Sequence, residues 1–370
     1  MLGSSFEKRE YWKNDSARSI VRIERLFRDG YQGDRLAKTS GDRCDAPKPT
    51  GIKCEHVTRL STWRSFGLAE ISAVVLMVSV RTQSRNLTAR GYDRVSRVWD
   101  RFFVPATAQA RDHMIRLARL KPGERVLDIG TGTGASAILA ARKVGKSGKV
   151  LGIDLSKRML AKAREKASRL GLVNVEFRLM DSTSLRLPEG SFDAIITTFG
   201  TPEGLYSGRL VLREWLRVLA AGGRLCLCEG ADDDKLGRII ERVFDKYKVA
   251  KPTSSLAARR TLQALISKER KRRHQVHFSN ARRVTRELRD AGFSGVKAST
   301  RVFAIFLPSA RVLRDLLIAS DISDEYMAMP PENQRGFKQE FISALRPFES
   351  SRGLLWGDKV VFVRASKGRA

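Results

Sequence analysis

Gly130, Gly132 and Gly134 stand two apart, directly after the apolar stretch 125–129 (RVLDI). Glycines let a chain turn sharply and bring its backbone N–H groups close to a ligand. A helix beginning at Ala135 would add free N–H groups and a positive dipole end. Three carboxylates accompany the loop: Asp128 just before it, Asp154 at the end of the next apolar stretch, and Asp181 after a third. A carboxylate offers two acceptor oxygens and a negative charge, which suits hydroxyl pairs, amino groups and cations. Gly130, Gly132 and Ala135 also satisfy the loosened dinucleotide fingerprint, with Asp154 at about the expected 20-residue distance. Three features favour a different ligand. Asp128 would repel a pyrophosphate and attract an ammonium. Asp181 is a second polar strand end on the edge where open α/β sheets bind ligands. The turn at 219–225 (LAAGGRL) leads straight into a fifth strand.

Such residues need a frame. Tyr92, Val95, Val98, Trp99, Phe102 and Phe103 recur at helical spacing, and a second helix is expected over 107–118. Strands are expected at 125–129, 150–153, 175–179, 192–197 and 224–228. Helices are expected between them at 135–143, from a Ser156 cap to about 170, and at 210–219. This alternation means a doubly wound, largely parallel sheet. Beyond Gly230, helices are expected at 236–247, 256–273, 281–291, 309–319 and 334–345, with strands at 296–306 and 359–363.

The motifs, taken together, resemble the class I S-adenosylmethionine-dependent methyltransferases over about residues 90–230. The matching text is 126–134 (VLDIGTGTG), 152–156 (GIDLS) with Met159 and Leu160, 180–182 (MDS), 191–195 (SFDAI) and 219–225 (LAAGGRL). The resemblance implies an α/β, Rossmann-like, seven-stranded doubly wound sheet with an antiparallel last strand and helical additions covering the active site. It implies S-adenosylmethionine as cofactor. Asp128 with Gly130, Thr131, Gly132 and Gly134 would hold the methionine moiety, and Asp154 would accept from both ribose hydroxyls. Leu155 and Met159 would pack on the adenine, Asp181 would accept from its amino group with Ser182 beside it, and Thr198 would face the reacting methyl. Ala221 stands where many members have proline. No catalytic base and no metal are implied.

The organisation that follows is an N-terminal extension at 1–85, lead-in cap helices at 86–120, the cofactor core at 121–230, and a C-terminal part at 231–370 completing the sheet with substrate-side helices. Met77 is a candidate start, which would leave residues 1–76 outside the native protein. Residues 92–102 (YDRVSRVWDRF) and the segment 307–358 resemble the ubiquinone/menaquinone-biosynthesis C-methyltransferases and their small-molecule relatives. Phe306, Leu313, Leu316, Leu317, Phe337, Phe341 and Trp356 supply apolar surface for a pocket. The loop 198–203 (TFGTPE) departs from the Asn-containing loop of the quinone enzymes. A small or lipid-like methyl acceptor is therefore the leading expectation.

Charge keeps a second partner in view. The 370 residues carry 70 Lys and Arg against 40 Asp and Glu, a formal net charge of +30. Residues 251–301 hold 14 of those cations against 3 acids, enough to track nucleic-acid phosphates or to lie on an anionic membrane. A nucleic-acid methyltransferase and a non-catalytic cofactor-binding regulator thus stand as alternatives. The longest apolar run, 66–80, is shorter than the ~20 residues of a bilayer span. With no secretory pattern at the N-terminus, a cytoplasmic protein, in peripheral membrane contact at most, is expected. Cys44, Cys54 and His56 fit no zinc spacing. Cys226 and Cys228 share a strand face as core residues. Asp193 reads as a strand-start surface residue, and His113, His274 and His277 as surface histidines.

Overall fold

The computed structural model describes residues 68–201, 208–231, 235–249, 278–319 and 322–368. Cys44, Cys54, His56, the basic helix expected at 256–273, His274 and His277 lie outside these residues. The chain divides into two units, 1–82 and 83–370. The first helix, α1 (Leu68–Ala106), runs without a break past residue 85. Pro105, which cannot donate a backbone hydrogen bond, lies in its last turn, and α2 (Ala108–Ala118) begins three residues later.

The second unit is built on one sheet. β1 (Arg125–Ile129), α3 (Ala135–Val144), β2 (Lys149–Asp154), α4 (Lys157–Arg169), β3 (Val175–Leu179), β4 (Phe192–Thr198), α5 (Gly208–Val218) and β5 (Leu219–Gly230) alternate as expected. There follow α6 (Lys235–Tyr247), α7 (Ala281–Asp290), β6 (Ser294–Leu307), α8 (Ala310–Ala319), α9 (Ser323–Ala328), α10 (Pro331–Leu345), β7 (Glu349–Ser350) and β8 (Gly353–Ser366). The strand order is β3-β2-β1-β4-β5-β8-β6, with the two-residue β7 pairing only with β8. β1 to β5 are mutually parallel, and β8 runs antiparallel between β5 and β6. The seven-strand path and antiparallel last strand are those the resemblance implied; β7 is an eighth, hairpin strand.

Both long C-terminal strands exceed the sequence expectation. Alternation marks only the stretch of a strand that sees a core on one side, whereas β6 and β8 pair with each other well past the sheet body. The turn at 219–223 is a bulge inside β5. Phe192 pairs with Leu219 and Ala194 with Arg224, so the single residue Asp193 of β4 faces four of β5, 220–223. Gly222 takes φ +73° within that bulge, a conformation that favours glycine over any residue with a Cβ.

The sheet's two faces have separate cores. Leu127, Ile129, Ile153, Ile195, Leu225, Leu227 and Val363 pack under α5 and α7. Val126, Val150, Ala194, Ile196, Cys226, Cys228 and Phe362 pack under α2, α3 and α4. Both cysteines are free and buried, as their period-two spacing required, and burial pushes the Cys226 thiol up to about 12. A third core joins α6, α8 and α10 around Phe337 and Phe341, which are fully buried among Leu313, Tyr326, Met329 and Leu345. These aromatics, expected to close a pocket, instead hold the added helices to one another.

A buried guanidinium ties the layers at the amino-terminal side of the sheet. Arg224 Nε donates to the Ala118 carbonyl, Nη2 to the Arg119 carbonyl, and Nη1 and Nη2 to the Glu124 carboxylate at 2.9 and 2.7 Å. Arg224→Met should therefore destabilise the protein by about 3 kcal/mol, because Glu124 would keep a half-buried charge without its partner. Urea unfolding of the two proteins measures it.

Candidate functional site

β1, β2, β3 and β4 run in one direction, so their carboxyl ends share an edge, and the sequence places a polar residue at each. Gly130, Gly132 and Gly134 have φ of +63°, +54° and +81°. A Cβ on Gly130 would lie 2.5 Å from the Gly200 carbonyl oxygen, so the loops after β1 and β4 meet backbone to backbone. Phe199, just after β4, also has a positive φ of 50°. A bulky residue there is uncommon and strained.

Asp128 is 1% exposed. Its Oδ2 accepts from Thr131 Oγ1 at 2.6 Å, and the carboxylate also accepts from the Ala137 N–H. No cation contributes to its environment, and burial pushes its carboxyl up to about 7. Asp154 is raised by burial as well, against three backbone N–H groups, those of Ser156, Gly132 and Leu155, that favour its charged form. Ser156 N–H donates to Oδ1 at 2.9 Å and Gly132 N–H to Oδ2 at 2.8 Å. Each oxygen keeps a further acceptor site.

The other residues named from the sequence fall as follows. Leu155 is half-buried beside Asp154. Met159 is buried against Val95 and Leu316 beneath α1. Asp181 accepts from Thr183 N–H and Oγ1 on one oxygen and from Arg85 Nη1, at 3.2 Å, on the other. Ser182 contributes its carbonyl to Trp215 Nε1. The Thr198 hydroxyl is held by Ser136 Oγ at 2.9 Å and bonds the Cys228 sulfur, on the side of the sheet facing α2 and α3. Asp193 sits at the opposite, amino-terminal edge, paired with Arg125.

Polar partners on α1 were missed by the sequence reading, which used only its apolar spacing. Arg85 reaches Asp181. Asp93 accepts from Ser156 Oγ and the Arg158 N–H. Asp100 accepts from Thr133 Oγ1 and pairs with Lys166 Nζ at 2.7 Å. The 85, 93, 100 spacing puts all three on one helical face, and this was the available signal. Trp99 stacks on Phe103 at 4.3 Å on the same helix, and its Nε1 lies close over Gly132. No helix among the described residues is long and apolar enough to cross a membrane, and no cluster of metal-ligand type occurs among them.

Comparison with known proteins agrees with this geometry. Residues 120–292 match a family described as a methyltransferase domain. The chain is 32% identical over 186 residues to the ubiquinone/menaquinone biosynthesis C-methyltransferase UbiE of Xanthomonas campestris, covering 43% of this chain and 69% of that one. It is 35% identical over 136 residues to UbiE of Cronobacter sakazakii, covering 36% and 49%. It is also 32% identical over 139 residues to the aklanonic acid methyltransferase DauC of a Streptomyces species, covering 37% and 61%. The chain thus spans roughly half to three fifths of the length of these last two. The YcgJ protein of Bacillus subtilis aligns in structure with a TM-score of 0.44 and 19% identity over 71% of this chain and 100% of that one. The chain belongs to the class I S-adenosylmethionine-dependent methyltransferases, in the group that includes UbiE.

The residues present fit that cofactor. A buried carboxylate with no cation of its own, at the root of a loop of left-handed glycines, suits an amino acid's ammonium. The sign of its pH dependence follows. Asp128 is raised above its unfolded value, so its contribution to stability is full below about pH 4 and is lost as pH rises through about 7. Binding a cation needs the ionised form. Cofactor affinity should therefore fall about tenfold per pH unit below pH 7 and level off above it. Calorimetry across pH 5.5–8.5 measures this, and Asp128→Asn should bind weakly with a flat profile. Asp93→Ala should loosen α1 by about 1–2 kcal/mol through two lost acceptor contacts. Faster hydrogen exchange over 88–106 would show it.

Proposed function

We propose that this protein transfers a methyl group from S-adenosylmethionine to a small or lipid-like acceptor. The observation that supports it most is the gathering of the glycine loop, Asp128, Asp154 and Asp181 on one carboxyl edge, under a helix that carries its own bonds to each loop. In this reading Asp128 and the 130–134 backbone hold the methionine end, Asp154 takes the ribose hydroxyls, and Leu155 with the 181–182 turn faces the adenine. The cofactor, when bound, supplies an activated methyl on a sulfonium, open to in-line displacement.

The chain's own work is then alignment and exclusion of water. α1 roofs the glycine loop, with Tyr92, Trp99 and Phe103 in edge and stacked contact and Trp356 against Phe103 at 5.3 Å. Asp181 engages Arg85 at a partly exposed ion pair, so adenine binding would compete with or reorganise that contact. The ubiquinone, menaquinone and aklanonic acid of the relatives' names favour a small or lipid-like acceptor here too.

Incubation with methyl-labelled S-adenosylmethionine and fractionated host extract tests the reading. Label should appear in organic-soluble material and fall at least tenfold for Asp154→Ala. Label confined to nuclease-sensitive material, or none in any fraction, would refute it.

A further inference from the structure

The sheet face under α2 is covered unevenly. α2 packs over β4, β5 and β8, while beyond it Lys297, Ser299 and Arg301 of the edge strand β6 are exposed. The ladder places Lys297 directly opposite Arg364 and Arg301 opposite Val360. Residues 297, 299 and 301 therefore share the face of Phe362 and Cys226, the side on which α2 lies. On α2 itself, His113 and Arg116 stand one turn apart and look toward this ledge. The His113 ring lies 4.7 Å from that of Phe362 and 5.6 Å from that of Phe303.

The ledge is electrostatically one-sided. Like charges directly opposite in a ladder are destabilising, yet Lys297 faces Arg364, and β6 carries no acidic residue. The Nε of Arg364 is buried with no hydrogen-bond partner among the described residues. Arg116, Lys297, Arg301 and Arg364 make no ion pair with a carboxylate among the described residues, and Asp112 turns to Arg111. The imidazole of His113 is held low by burial and further by Arg301 and Arg116, so both guanidinium groups act on it. A fold that tolerates such crowding without counter-charges suits a partner that brings them.

We propose that this ledge binds a single-stranded nucleic acid, its phosphates following Lys297, Arg301, Arg364 and Arg116 and a base resting against Phe303. Aromatic surface set among cations is the chemistry of single-strand tracks. The step shape favours a strand over a membrane. α2 stands about 10 Å above the sheet, as a packed helix must, so a flat bilayer meets the helix before the ledge, whereas a flexible strand can follow the floor. The row on β6 climbs toward the site, for Arg301 is level with Gly230 at the carboxyl end of β5. This surface is separate from the cofactor residues and does not depend on which acceptor is methylated.

The test uses the full chain and fluorescein-labelled 20-nucleotide oligouridine, with anisotropy read between 50 and 300 mM KCl. The wild type should bind at about micromolar strength in low salt. The double variant Lys297→Glu/Arg301→Glu should bind at least tenfold more weakly, with a salt slope flatter by about 1.4, the value for two single-strand phosphate contacts. Arg116→Glu, on the opposite wall, should move in the same direction. Arg142→Glu/Lys143→Glu, an equal charge change on α3, should stay within threefold of wild type. Lys297→Glu sets opposite charges across the ladder, so the fold should gain stability, and calorimetry with S-adenosylmethionine confirms that each variant is intact. Absence of oligouridine binding would overturn the proposal. So would equal losses in the two double variants, or wild-type binding by Lys297→Glu/Arg301→Glu. Co-sedimentation with vesicles of 30% phosphatidylglycerol in phosphatidylcholine, lost in Lys297→Glu/Arg301→Glu without any oligouridine binding, would assign the ledge to a membrane instead.

Discussion

The site turns on one buried carboxylate. Asp128 lies in the sheet interior with a hydroxyl and a backbone N–H as its partners and no cation. Burying such a group is costly unless something compensates it, and here the cost shows as a carboxyl pushed up to about 7. Its position fixes what surrounds it. Thr131 must turn back to it, the loop must pass through left-handed glycines to do so, and the loop after β4 must come against Gly130 backbone to backbone. Gly152 follows the same constraint in β2, where a Cβ would meet Thr131 Oγ1 and the Phe177 ring at 2.8 Å.

Over this edge lies α1, held by three polar contacts in sequence order as well as by apolar packing. Arg85 meets the loop after β3, Asp93 the loop after β2, and Asp100 the loop after β1. The helix therefore crosses the strand ends in the order β3, β2, β1, matching the order of the sheet itself. Contacts on three separate loops hold the helix redundantly, because releasing one leaves the others in place. Met159 and Leu316, buried with Val95 under that helix, add the apolar floor.

The added helices serve a different purpose. Their aromatics are spent on a core of their own, so this part packs as a unit against β6 and β8. The long β6–β8 pair that carries it also presents the cationic ledge. This antiparallel pair thus serves twice: its part beside β5 presents the charged surface, and its extension beyond β5 carries the helical addition.

The sequence by itself determined the sheet body and the edge on which the candidate residues gather. Glycines two apart between an apolar strand and a helix, with Asp128, Asp154 and Asp181 at three strand ends, permit few other arrangements, because parallel strands must present like ends together. Period-two spacing was enough to bury Cys226 and Cys228. What only the tertiary structure decided concerns partners far apart in the chain. The Arg85–Asp181 and Asp100–Lys166 pairs span 96 and 66 residues, and no local pattern encodes such a meeting. Thr198 shows the same limit: period two from Ile196 sets its face, but only packing brought the Ser136 and Cys228 side chains to its hydroxyl. Side-chain periodicity records which face a residue takes, and only packing selects the neighbour it finds there.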